Sequence, residues 1–371
     1  MHTRRNADNR GCAGGPGHEL GARYSSPVTT LQTAFTEEEL LTSLPVEEPL
    51  VAGGVRCHGG FDDDGTYVSP RTANRWPAIH AWQEQHAEQF ATPLLDVGLD
   101  TWPGAYPNVA QARFLIEHGV TRPVIDTLTR IGTVEGFGSM IRYSVIPDLQ
   151  RCFVEDVRDT AMHHLDRGLY EAHARDEAGY GAEGGHKQMW FAARDIAFEQ
   201  PTTEDETERM LQRLGITMGG GGTTAPPRLL PDDIAVELEL LIERMVRLLL
   251  IEVSAYHTFA WAEELLADRE LVAGDGEAAD LVSYIRTDES PHVEYLRTTL
   301  SEMRDRSFVG ASGRVYDGSD LIGRLWDRAL SESLGPRRKL MKQTSAAEVE
   351  RAVRARPDAG DLLEEFHRLE S

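Results

Sequence analysis

The stretch Leu248-Leu249-Leu250-Ile251-Glu252-Val253 sets one carboxylate inside an apolar run. On a helix advancing about 100° per residue, Glu252 shares a face with Leu238, Leu241, Met245, Leu248, Tyr256 and Phe259, so its side chain points into a core. An uncompensated carboxylate there costs several kcal/mol or takes up a proton, and a nearby cation removes the penalty. An arginine or a tyrosine hydroxyl would serve in a metal-free helical scaffold. What else points inward separates the two readings.

Two Glu-x-x-His steps flank this carboxylate, Glu183-Gly-Gly-His186 and Glu289-Ser-Pro-His292. Composition alone yields about one such step by chance, and a third copy, Glu364-Glu365-Phe366-His367, lies in a polar C-terminal helix and is read as that copy. The other two differ in phase. Glu289 and His292 share a stripe with Ile285, Leu296, Leu300 and Met303, and Glu183 and His186 share one with Trp190, Ala193 and Ala197. Three-residue spacing brings both side chains of each pair to one point on the helix surface.

Around these residues the patterning predicts a bundle over residues 140–307. A first helix begins near Pro147, a second carries Glu183 to Ala197, a third runs from about Asp232 to Ala267, and a fourth from about Asp275 to Arg306. The Gly- and Pro-rich connection from Gln200 to Pro231 is too long for an antiparallel hairpin and suits a crossover. Residues 1–34 read as a disordered tail and 35–139 as a mixed, mostly helical lead-in packed on the bundle. Residues 308–371 read as a helical extension, with helices over 321–334 and 346–369. Asp62-Asp63-Asp64-Gly65 reads as a tight turn between short strands, because the glutamate that would complete a calcium loop is missing. The fold class is all-α.

Taken together, the two Glu-x-x-His steps, the inward Glu252 and the crossover resemble the ferritin-like di-iron carboxylate superfamily. The resemblance implies a four-helix bundle with additional N- and C-terminal helices, and two iron ions, with manganese the alternative. The metal ligands it implies are Glu183, His186, Glu252, Glu289 and His292, completed by a carboxylate on the first helix. Glu171 is in phase with the apolar face and is the choice for that position; Glu155 and Asp156 stay open beside it. Pro291 either kinks the last helix beside His292 or starts a new segment that leaves Glu289 in a turn.

The resemblance implies a non-haem oxygenase or oxidase that activates O2 to oxidise a small organic substrate. An external electron donor is expected, because three scattered cysteines, Cys12, Cys57 and Cys152, cannot hold an iron-sulfur centre. The competing readings are a ferritin-like protein of iron oxidation and storage, and the metal-free scaffold. A net charge of −23 with no basic stripe argues against a nucleic-acid partner. No apolar run reaches the roughly 18 to 20 residues of a membrane span. A cytoplasmic protein is expected, and a homodimer is compatible with the pattern.

Overall fold

Helices make up most of the chain, as expected, in the computed structural model, which describes residues 31–98, 101–199, 202–213 and 227–370. Residues 1–30 of the expected tail and the Gly219–Gly222 run lie outside the described residues, while the tail's last residues are held to the fold, the Thr33 carbonyl accepting from Trp82 Nε1 at 2.8 Å. Thr36 and Glu39 form a capping box that starts α1 (Glu37–Leu41). An antiparallel sheet follows in the order β1 (Glu48–Ala52), β2 (Val55–Phe61), β3 (Tyr67–Val68). The Asp62 turn joins β2 to β3, its Oδ1 accepting from the N–H groups of Asp64 and Thr66 at 3.1 and 2.8 Å. Next come α2 (Arg75–Phe90), α3 (Val109–Glu117) and α4 (Arg122–Gly138).

The first helix expected from Pro147 is absent. Residues 147–169 hold only α5 (Leu149–Cys152), a 3-10 turn (Ala161–His164) and a π turn (Leu165–Leu169) that contains non-helical Arg167 and Gly168. A bridge from Phe153 to Phe308 draws the chain into an extended path, and Gly168, at φ +125°, lies where a Cβ would meet Leu40 at 2.8 Å. Helix α4 stands in its place, and the expected boundary at 139/140 falls after the first residue of the 3-10 turn Ser139–Tyr143 that continues it.

Helices α6 (Tyr170–Ala178) and α7 (His186–Ala197) come next, then α8 (Glu204–Arg213) inside the long connection. The two long helices α9 (Val236–Leu266) and α10 (Glu277–Arg304) match the expected third and fourth helices. Helix α10 runs through Pro291 without ending, so Glu289 is helical and not in a turn. Helix α4 packs on α6 and α7, α7 on α10, and α10 along α9. After the hairpin β4 (Ser307–Val309) and β5 (Val315–Asp317) come α11 (Gly318–Glu332), α12 (Arg338–Arg354) and α13 (Ala359–Arg368). The single helix expected over 346–369 is broken at Pro357, which cannot continue α12.

Two apolar clusters meet at the level of the glutamates. One holds Leu241, Met245, Leu249, Leu296 and Leu300, and the other holds Trp190, Phe259, Leu265, Leu281 and Ile285. Glu252, Glu289 and His292 fall between them and are buried. Close approach of α4 depends on glycine: a Cβ on Gly132 would lie 2.7 Å from Cβ of Trp190, and one on Gly138 would lie 2.6 Å from Cγ of Glu177. Gly132→Ala must push α4 off α7 and is expected to cost about 1–3 kcal/mol. A urea midpoint unchanged from the parent would contradict this. Among the described residues, no helix is long and apolar enough to cross a membrane.

Candidate metal centre

Three of the expected ligands on α9 and α10 converge, and with them His186 at the first turn of α7. Glu135 on α4 and His173 and Glu177 on α6 complete the group. His173, Glu177, Glu252 and His292 bring one donor atom each within 4.8 Å of one another, and so do Glu135, Glu177, His186 and Glu289. Both sets are buried His/Glu groups able to hold a metal ion. Two glutamates tie them together. Oε1 of Glu289 lies 2.8 Å from Nδ1 of His186 and its Oε2 lies 2.7 Å from Nδ1 of His292. Oε1 of Glu177 lies 3.5 Å from both His173 Nε2 and His292 Nδ1, while its Oε2 lies 3.6 Å from His186 Nδ1.

Each of the two paired imidazoles turns Nδ1 inward and Nε2 outward to an aspartate that precedes a glutamate of the other helix. Nε2 of His292 meets Oδ2 of Asp176 at 3.0 Å, and Nε2 of His186 faces Oδ2 of Asp288 at 3.4 Å. Asp176-Glu177 and Asp288-Glu289 thus play matching parts, each dipeptide supplying an inner carboxylate and the outer partner of the opposite histidine. An outer carboxylate of this kind fixes the ring and raises its donor strength. Arg71 donates to Asp176 Oδ1 from Nε and Nη2 at 2.9 and 2.6 Å, and Arg75 donates to Oδ2 at 2.7 Å. On the other side Tyr67 donates its hydroxyl to Asp288 Oδ2 at 2.9 Å, and His58 Nε2 lies 3.6 Å from the same oxygen. His173 is fixed by a 3.1 Å contact between its Nδ1 and the Tyr295 hydroxyl, and its ring stacks on His292 at 3.8 Å.

Without cations this arrangement is electrostatically unsatisfied. Oε2 of Glu135, Oε2 of Glu177 and Nε2 of His173 are buried and have no hydrogen-bond partner among the described residues. Buried groups of this kind are rare and call for an ion. Burial, and then repulsion from neighbouring carboxylates, pushes Glu252 and Glu135 well above the usual carboxylate range and Glu177 to about 7. Burial opposes ionisation of Glu289 too, but His292 and His186 on either side hold it well below. Burial disfavours charge on His292, yet Glu289 and Asp176 raise it to about 9. The donor set, hard carboxylates with imidazoles, suits a first-row divalent ion.

Two expected ligands stand elsewhere. Glu183 sits in the turn between α6 and α7, 39% exposed, and pairs with Arg56 at 3.4 Å. Glycines 179, 184 and 185 cause this: Gly179 has φ +80°, and a Cβ there would meet the Glu183 carbonyl at 2.2 Å. β2 then latches the turn, the Gly184 N–H donating to Arg56 O and its carbonyl accepting from His58 N. The second helix therefore starts at His186, and its partner carboxylate is Glu177, before the break. Glu171 lies six residues before Glu177, about 120° round the helix, where it accepts from Arg175 at 2.7 Å and pairs with Arg142 at 3.2 Å. Glu155 accepts from the Ser307 N–H, and Asp156 is held by Arg158 at the surface. Of the residues missed, Glu135 had a readable signal, its phase with Val124, Leu128 and Gly132 on α4. The chain matches no family model, no curated protein and no solved structure.

Proposed function

We propose that the chain is a di-iron carboxylate oxidoreductase that uses O2 to oxidise a small organic substrate, with electrons from an external donor. One observation carries the reading, the charge of the buried centre. Metal binding requires all six carboxylates ionised and the imidazoles neutral. In that state four inner glutamates and two outer aspartates against two arginines leave four negative charges, which two divalent cations would balance. Glu135, Glu177, Glu252 and Glu289 would hold the ions together with His173, His186 and His292. Two irons bound there would supply reductive activation of dioxygen.

The chain's own residues do the rest. Glu177 and Glu289 each turn one oxygen toward His186 and the other toward His292, and so would tie the two halves of the centre together. Asp176 and Asp288 keep the Nδ1 atoms of His292 and His186 aimed inward. Trp190 and Phe259, with ring centroids 4.9 Å apart, belong to the apolar cluster on one side and Met245 and Leu249 to that on the other, which keeps bulk water from the ligands. Manganese fits the same donors.

Anaerobic loading with Fe(II) followed by metal analysis is expected to give about two irons per chain. O2 uptake with a chemical reductant is then expected to depend on an added organic substrate. Fewer than about one iron per chain would end the reading. Uptake driven by Fe(II) alone, continuing for many irons per chain, would replace it with iron oxidation and storage.

A further inference from the structure

The two halves of the centre differ in their donors. Each has one glutamate of its own, Glu135 or Glu252, and both share Glu177; Glu289 belongs to the group at His186 and turns its second oxygen to His292 at 2.7 Å. The half at His186 has a single imidazole. The half at His292 has two, because His173 stacks on His292 with an interplanar angle of 17°. Its Nε2 lies 3.5 and 3.6 Å from Glu177 and Glu252 and has no hydrogen-bond partner, while Nδ1 is occupied by Tyr295. A buried imidazole with its free nitrogen aimed among carboxylates is a ligand in waiting.

The outer layer differs in the same sense. Asp176, behind His292, is bracketed by the guanidinium groups of Arg71 and Arg75, so this side carries a net positive charge. Asp288, behind His186, receives a phenol hydroxyl and faces the buried His58. Its negative charge meets no arginine or lysine contact among the described residues, and it strengthens His186 as a donor. A charge of one sign behind one ion and of the other sign behind its neighbour acts over a few ångströms of low-dielectric core. Extra imidazole and positive backing both favour a softer, less highly charged ion; carboxylate dominance and negative backing favour a harder one.

We propose that the centre sorts its ions: the position at His186 takes the harder ion and the position between His173 and His292 takes the softer one. This rests on the two-ion reading above. Zinc and manganese probe it directly, because both are divalent, and zinc accepts imidazole far more readily than manganese does. Metal-free full-length protein is given one equivalent of each ion, desalted and analysed for total metal. Zinc-edge X-ray absorption then counts imidazoles on zinc.

The expected result is one zinc and one manganese retained per chain, with about two imidazoles on zinc. In His173→Gln the zinc count is expected to fall to about one imidazole. Two ions retained with about one imidazole on zinc, or an even mixture of the two environments, would overturn the sorting and leave the two-ion centre standing. Retention of one ion or none would overturn both. Two imidazoles on zinc that persist in His173→Gln would overturn the role of His173, and with it the sorting. The wild-type count decides the matter even where the variant folds poorly.

Discussion

Glu177→Ala is expected to weaken divalent-metal binding by more than about 100-fold, beyond the roughly 10- to 100-fold typical of losing an outer partner of a ligand. The reason is its position between the halves. Its two oxygens face opposite imidazoles, so truncation removes a donor from both positions at once. Glu183→Ala and Glu171→Ala are expected to bind metal as the parent does, since these side chains pair with Arg56, Arg142 and Arg175 outside the cluster. Competition against a chromophoric chelator measures all three. Loss of binding in Glu183→Ala with full binding in Glu177→Ala would reverse the assignment.

That contrast marks where local sequence stops being informative. Glu252, Glu289 and His292 were legible because α9 and α10 are long and unbroken, so angular phase computed from residue number holds over their whole length. Proline at 291 did not upset it. Between Glu177 and His186 the phase is lost, since a glycine turn resets the helix, and a search at fixed three-residue spacing finds the nearby but outward Glu183 instead. Glu135 belongs to a helix rich in threonine and glycine that looks like lead-in until α7 is packed against it. Nothing local points to Arg71, Arg75, His58 and Tyr67. They reach Asp176 and Asp288 across more than one hundred residues of chain, through the N-terminal sheet and the start of α2. The inner ligands thus follow from helix periodicity, whereas the outer partners follow only from the tertiary fold.

The same crowding sets the acid-base behaviour of the metal-free protein. Stripped of metal, it is expected to lose several kcal/mol of stability between about pH 6.5 and 9. Glu135, Glu177 and Glu252 are held above their ordinary value near 4.5, Glu177 at about 7. The folded state therefore keeps protons that the unfolded chain has released. Such a group gives its full stabilisation below the unfolded value and loses it as pH climbs through the folded one. For Glu177 alone this amounts to on the order of 3 kcal/mol over the whole rise from about pH 4.5, of which under about 1 kcal/mol falls above pH 6.5, so most of the loss in this window comes from groups held higher.

His292, raised from 6.5 to about 9, acts in the same direction and is lost last. Glu289, Asp176 and Asp288 are held low, so their contribution fades only as pH falls below the usual carboxylate range, outside this window. Burial lowers His58, His164 and His173. Their contribution grows as pH rises to about 6.5 and is level above it, which is why the window opens there. Bound cations keep the carboxylates ionised and displace their protons, so zinc-loaded protein is expected to be far flatter over the same range. A residual slope should remain from Glu302, raised to about 7 by burial and bonded to the N–H groups of Ala161 and Met162 away from the centre. Urea melts with chelator and with zinc, in the parent and in Glu302→Gln, separate the two sources. If the chelated protein were as stable at pH 9 as at pH 6.5, the inner glutamates would not share a crowded buried site, and the argument for two cations would fall with them.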